Sequence, residues 1–504
     1  MRKFATLITF LSAALTGCMV GPNFHSPNAP NTNHYTEAPQ PKKTTSIPSV
    51  GSAGKVQHFI MGRDIPAEWW ALFHSPEING LVVAGLENSP TLDAAEAALR
   101  VSQEAVIAQI GTSLFPSIST QISGQRQANS NASFTGASSQ NLFNLYNASV
   151  NVSYTLDVFG GARREIESLR DQVDYQQFQV EAAYLTLTSN IVTTSITLAS
   201  LQAQIQATHE LIQAQTRVLT ILKQQFRYGA VSEANVLTQE TTLAQTRATL
   251  PPLEQSQSQS RHSLSVLIGE FPSESAIPKI QLAKLNLPAN LPVSLPSVLV
   301  RQRPDIRASE ALLAAASAQI GVATANLFPQ ITLNGSFGWL SPSTGNLFDP
   351  ASKVWSFGGQ ILQPIFNGGA LLSKRRGAMD AFDQAYAQYR QTVLQAFQNV
   401  ADTLRALEHD AQTLKAQRQA EVAARRSLTL TTEQYHLGGV DYLNLLTAEL
   451  QYEQTKIARI QAQAARYTDT AALFQALGGG WWNRGMATCL ADTTRNAKTC
   501  IWKG

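Results

Sequence analysis

Charge is scarce in this chain. Asp, Glu, Lys and Arg make up 14% of its 504 residues, against about a quarter in an ordinary globular protein. The formal net charge is +3, and it drops to +1 once Arg2 and Lys3 are removed. That excludes a field able to gather nucleic acid or another polyanion. The three cysteines, Cys18, Cys489 and Cys500, are too few for a disulfide-built fold. The eight histidines, His25, His34, His58, His74, His209, His262, His409 and His436, are scattered and show no metal-ligand spacing. Walker and dinucleotide-binding glycine patterns are also absent. The chain therefore reads as a non-enzyme with no metal and no cofactor.

What is present begins with a processing signal. Arg2 and Lys3 precede an apolar run from Phe4 to Leu15, too short to cross a bilayer and shaped like a secretory peptide. Leu15-Thr16-Gly17-Cys18 resembles the lipobox of bacterial lipoproteins, so residues 1–17 are expected to be removed and Cys18 to carry a covalent lipid. Met19 is not the Asp that signals retention in the inner membrane, which directs the mature protein to the outer membrane. In such a disulfide-permissive compartment Cys489 and Cys500 suit a small bridged loop, which spacing alone does not establish.

The body is duplicated. Phe226-Arg227-Tyr228-Gly229-Ala230-Val231-Ser232 returns about 209 residues later as Tyr435-His436-Leu437-Gly438-Gly439-Val440-Asp441, and a fixed-period repeat governs the whole fold. Leu114-Phe115-Pro116 and Leu327-Phe328-Pro329 each end a helix, because proline cannot continue one and biases its neighbour toward extended structure. After each, the apolar period changes to two. Strands are predicted at about 116–126 and 147–159 in the first half, and at about 329–340 and 353–366 in the second. Ile118, Thr120 and Ile122 alternate with Ser119, Gln121 and Ser123; Val150, Val152 and Tyr154 alternate with Asn151, Ser153 and Thr155. Such half-apolar strands suit a barrel with lipid outside and a polar lumen inside. Four strands cannot close one, since the smallest known have eight. Several copies must pool their strands, so the sequence asks for a homo-oligomer.

From Ala162 to Tyr228 there is neither glycine nor proline, and a helix of that length spans roughly 100 Å. Ile166, Leu169, Val173, Val180, Tyr184, Leu187 and Ile191 keep an alternating three-and-four spacing, the signature of coiled-coil packing. The second half repeats it with one four-four step between Tyr389 and Phe397, a stutter that relaxes the supercoil. Long helices are expected at about 161–228 and 370–437, with returning helices at about 233–268 and 441–477. Pro251-Pro252 should kink or break the first returning helix. Gly229 and Gly438 suit the left-handed helix-ending position, and Ser232 and Asp441 the next N-cap. Gly160-Gly161 and Gly368-Gly369 read as strand-to-helix joints, and Trp481-Trp482 as local packing.

Several of these motifs carry a family resemblance: the paired Leu-Phe-Pro, Arg303-Pro304-Asp305-Ile306-Arg307, the turns at Gly229 and Gly438, Thr249-Leu250-Pro251-Pro252-Leu253-Glu254, and Ala476-Leu477-Gly478-Gly479-Gly480-Trp481. Together they resemble the TolC-like outer-membrane efflux proteins, in the lipoprotein branch similar to NodT. The resemblance implies a mostly α-helical protein with a membrane β-barrel: a trimer whose chains each give four strands to a 12-stranded barrel and their helices to a long periplasmic coiled-coil tunnel. It divides the chain into a lipidated extended leader at 18–64, a first repeat at 65–269, an equatorial segment at 270–302, a second repeat at 303–477 and an equatorial tail at 478–504. The repeated turns, with Gly229, Ser232, Gly438 and Asp441, would meet a periplasmic adaptor and, through it, a proton-driven inner-membrane pump. The gate of such channels matches Leu443 and Thr447 here. Thr447 departs from the family's acidic pattern, with Asp441 and Glu449 as the nearby acids. The implied function is a passive exit duct for toxic small molecules. The alternatives are the exit duct of a type I protein secretion system and a lipid-anchored coiled-coil scaffold without a pore.

Replacing Cys18 with Ala is expected to abolish incorporation of radioactive palmitate; persistent labelling would refute the lipobox.

Overall fold

A computed structural model describes residues 19–39, 42–128 and 142–484. Cys18, Cys489 and Cys500, and with them the lipidation and disulfide readings, lie outside the described residues. The elements, in chain order, are β1 (His58–Met61), α1 (Pro76–Asn88), α2 (Pro90–Leu114), β2 (Ser117–Ala128), β3 (Leu142–Leu156), α3 (Gly161–Arg227), α4 (Glu233–Leu267), β4 (Asn290–Val293), α5 (Pro296–Gln302), α6 (Pro304–Ala325), β5 (Gln330–Ser341), β6 (Lys353–Leu362), α7 (Ala370–His436) and α8 (Tyr442–Ala476). The duplication is metrical: α3 and α7 are both 67 residues long, and α4 and α8 both 35. The chain divides into two compact units, to both of which α3 and α7 contribute.

The first unit gathers Ala97–Gln177 and Ala308–Arg390 with the chain up to Pro27. Its antiparallel sheet has the order β2-β3-β5-β6. The register sets Ile118 opposite Val152, Val150 opposite Phe337 and Phe337 opposite Trp355. One face thus collects Ile118, Ile122, Val150, Val152, Phe337, Trp355 and Phe357, each at least 38% exposed. The other face is polar and bonded across strands: Ser153 Oγ donates to Asn334 Oδ1 at 2.9 Å, and the Ser336 and Ser356 hydroxyls lie 2.8 Å apart. An ordinary sandwich hides its apolar face. Here that face is open, as lipid contact requires, and the polar one suits a wet lumen. β2 and β6 each have one unpaired edge, a row of backbone donors and acceptors that must find partners.

At the helical end of β3, Asp157 caps α3, its carboxylate accepting from the backbone N–H groups of Ala162 and Arg163, both at 3.0 Å. One residue further, Arg164 is 1% exposed and donates to the Val20 carbonyl at 3.2 Å and to Asn23 Oδ1 at 2.7 Å. Its stem runs past Gly321, where an added Cβ would stand 2.8 Å from Arg164 Cγ. Gly21, at φ +95°, lies so close that its own Cβ would collide with the Gly321 backbone.

The second unit holds the main core. Trp69, Phe73, Ile78 and Val82 pack with Ile191 and Ile196 of α3, Leu264 of α4, and Tyr467 and Phe474 of α8, and the Trp69 ring stacks on Phe474 with centroids 5.4 Å apart. β1 pairs in parallel with β4, His58 facing Asn290. The leader packs against this core. Ile47 and Ala53 are buried in the core, and two arginines staple the segment down. Arg405 donates to the Ala38 carbonyl at 2.6 Å. Arg466, fully buried, donates to Thr44 Oγ1 and the Lys55 carbonyl, each at 2.8 Å, and to the Ala53 carbonyl. A polar, proline-rich stretch can be ordered in this way because the guanidinium supplies the donors its backbone lacks.

Of the two outcomes expected at Pro251-Pro252, a kink or a break, α4 excludes the break. It runs unbroken through Pro251 and Pro252. Both prolines are exposed, as are Arg247 and Ala248, whose carbonyls lose their i+4 donors, so water can take up the freed bonds.

Arg466→Ala should destabilise the protein by about 3 kcal/mol or more, because it leaves several buried acceptors unpaired, and should lower the thermal unfolding midpoint clearly. An unchanged midpoint would contradict the staple.

Candidate functional site

The repeated turns form the site. At each, the helix ends on a glycine in the left-handed region, Gly229 at φ +73° and Gly438 at φ +77°. The Gly229 N–H donates to the Phe226 carbonyl at 2.9 Å and the Ala230 N–H to that of Gln225 at 2.9 Å; Gly438 and Gly439 repeat this on Tyr435 and Gln434 at 3.0 and 2.8 Å. Nothing lies within 4 Å of where a Cβ would stand on either glycine. Backbone conformation alone, not space, selects glycine there. The caps differ between the copies. Asp441 Oδ1 accepts from the Asn444 N–H at 3.0 Å and from Asn444 Nδ2 at 2.7 Å. Ser232 occupies the N-cap of α4 without a side-chain cap bond, so the second returning helix is the better anchored.

A small apolar cluster joins the two hairpins. Leu222 of α3, Val236 of α4 and Tyr442, Leu445 and Leu446 of α8 are buried together. The Tyr442 hydroxyl donates to Gln239 Oε1 on α4, Gln239 Nε2 donates to the Gln215 carbonyl at 3.0 Å, and Tyr435 lies edge-on to Tyr442 at 6.1 Å. Lys223 pairs with Glu240 at 2.6 Å, half-exposed on both sides. The two copies of the turn therefore meet through two tyrosine–glutamine links, Tyr442 to Gln239 and Tyr435 to Gln225 at 3.4 Å, and one small apolar cluster.

Leu443 points away from this cluster. It is 60% exposed, whereas Tyr442, Leu445 and Leu446 on either side are buried. Thr447 is exposed and donates its hydroxyl to the Leu443 carbonyl at 2.8 Å. The structure thus brings Asp441, Leu443 and Thr447 onto the open side of one helical turn and sets Gly229 and Ser232 in the neighbouring turn. Glu449 goes elsewhere. It turns toward α3 and lines a cavity of about 220 Å³ with Ala207, Glu210, Leu211, Leu428, Glu453 and Lys456. One of its carboxylate oxygens is buried without a partner. Burial pushes its carboxyl up to about 7. Glu453 rises to about 7 for the same reason, the nearby Lys456 opposing and the Glu449 charge adding to it. Lys456 is committed to Glu210 at 2.7 Å and holds that carboxyl below its usual range.

Periodicity had no means of finding this acid pair. Glu449 and Glu453 are four residues apart on one helix, a spacing common on solvated faces, and only the third helix closes the cavity over them. The described residues contain no group of acids, histidines or cysteines able to hold a metal ion, and no helix long and apolar enough to cross a membrane; the membrane-facing surface is the sheet.

An open sheet with one lipid-ready face, carried by two hairpins of very long helices, defines a subunit of a channel whose barrel is completed by further copies. Residues 81–270 and 295–479 match the model of the outer membrane efflux protein family, and the chain belongs to that family. It is 29% identical to the toluene efflux pump outer membrane protein TtgC of Pseudomonas putida, covering 96% of this chain and 97% of that one. It is also 29% identical to nodulation protein T of Rhizobium leguminosarum bv. trifolii, over 95% and 98%. Among solved structures, the outer-membrane channel OprN superposes with a TM-score of 0.81 at 26% identity, over 92% of this chain and all of that one. The chain is thus an outer-membrane efflux channel subunit, mostly helical, whose strands join those of two other copies in a trimeric barrel.

Because Glu449 and Glu453 bind protons more readily when packed than when unfolded, the α3–α8 contact should be strongest below about pH 4 and weaken as pH rises through about 7. Amide exchange across residues 445–456, corrected for intrinsic rates, should be slower at pH 5 than at pH 8. Glu449→Gln should flatten the difference, and equal protection at both pH values would exclude it.

Proposed function

We propose that the chain is the passive exit duct of a tripartite efflux system, with no chemistry and no energy source of its own. An inner-membrane pump, proton-driven, delivers toxic small molecules to it through a periplasmic adaptor. The observation that carries this reading is the combination of an uncharged, hydroxyl- and amide-lined sheet face with hairpin ends joined by few contacts. The first can pass diverse solutes, and the second can part. The naming of a relative as a toluene efflux pump component supports small-molecule cargo.

In this reading the turns at Gly229, Ser232, Gly438 and Asp441 form the adaptor-facing end. Leu443 is the apolar element of the closed gate, with Thr447 one turn on. Its support is the 60% exposure of a leucine between buried neighbours, which leaves it free to meet its counterparts around a three-fold axis. Asp441, engaged as a helix cap, supplies the charge at this level, whereas Glu449 faces α3 and does not. Lipid on Cys18 and a Cys489–Cys500 bridge complete the proposal.

Leu443→Ser should raise single-channel conductance in planar bilayers and sensitise cells to dyes or antibiotics that leak inward. Wild-type conductance together with unchanged sensitivity would remove Leu443 from the gate.

A further inference from the structure

We propose that Lys374, Arg375 and Arg376, in the first turns of α7, bind the headgroups of anionic phospholipids in the periplasmic leaflet of the outer membrane. The inference starts from the end of β6. Past Leu362 the chain leaves the sheet through Ile365 and Phe366, which are 94% and 91% exposed, and enters α7 with Leu372 at 54%. Phe115 and Phe328, 62% and 37% exposed, stand at the same helical end of the sheet, where α2 and α6 give way to β2 and β5. Large apolar side chains left open at the foot of a lipid-facing sheet mark the lower edge of the hydrocarbon.

The three basic residues follow at the depth of the headgroups. Lys374 to Arg376 lie about 6–9 Å along the helix from its first residue, close to the thickness of one interfacial layer, about 5–8 Å. All three are exposed. Among the described residues none of them forms an ion pair; Arg376 reaches only Ser373 Oγ at 3.4 Å. Asp380 and Asp383, further along α7, are the nearest acids in sequence and make no ion pair with them.

The first half offers the contrast. At the corresponding joint Arg163 is bound to Asp157 at 3.1 Å, and Arg164 is buried against residues 20–23. Charge is consumed internally at one joint and left open at the other. Long stems let the three cations converge on one side while their apolar parts cover the joint, and a cluster of this kind next to a membrane recognises phosphate-bearing lipid by charge. The occupant is lipid rather than free phosphate because the cluster continues the apolar surface of β6 without a gap in the chain.

Native mass spectrometry tests this on the full-length trimer, equilibrated with equal amounts of phosphatidylglycerol and phosphatidylcholine. Wild type should retain phosphatidylglycerol about tenfold in preference or more. The triple change Lys374→Gln, Arg375→Gln, Arg376→Gln should lose that preference while remaining trimeric. The charge-preserving set Lys374→Arg, Arg375→Lys, Arg376→Lys should keep it, as should Cys18→Ala. The proposal fails if the neutral variant still selects phosphatidylglycerol, if the charge-preserving set or Cys18→Ala loses the selection, or if the neutral variant falls into monomers, which would assign the three residues to the neighbouring copy.

Discussion

The whole architecture turns on two rows of unpaired backbone groups, along the outer edges of β2 and β6. In water such edges are a nuisance that a charge or a bulge can blunt. In hydrocarbon they are untenable, because each unsatisfied N–H or carbonyl costs several kcal/mol. The protein therefore has no stable membrane form as a single chain, and every other feature follows from having to be repeated about an axis. The long helices are subject to the same symmetry. They bury apolar stripes on one side and leave leucines such as Leu443 exposed on another.

Duplication supplied this design with matched parts that then diverged. The helices kept their lengths to the residue, and both turns kept their glycines. The caps did not stay equal, since Asp441 holds its helix with two bonds and Ser232 with none from its side chain. Nor did the joints, where one half spends its arginines inside the protein and the other displays them. The two hairpins thus share a backbone and differ in their polar chemistry.

Much of this was legible in the residues themselves. The proline punctuation, the switch in apolar period and the glycine-free spans each report local physics, so strands, long helices and turns could be drawn from them. The resemblance then placed them in a trimer. How the leader is held was not legible, because its contacts run to Arg405 and Arg466, hundreds of residues away, and a polar, proline-rich string carries no trace of partners that remote. At Pro251-Pro252 a break stood beside a kink as an expectation because proline's local penalty is visible and the solvent able to absorb it is not. The acid pair at Glu449 and Glu453 was invisible because burial belongs to the packed helices, and so was the exposure of Leu443, which the same heptad pattern would equally place inside.

The clamp around Arg164 also ties the two halves of the chain together at the foot of the sheet. Three stretches meet there: residues 20–23, the first turn of α3 and the backbone at Gly321. The guanidinium can be desolvated only when the leader carbonyls are in place to receive it, and the leader fits only against a helix without a side chain at position 321. The clamp thus joins one segment to another that follows it by some three hundred residues, a contact of high sequence separation. The joint at the foot of the sheet is therefore complete only when both halves of the chain are present.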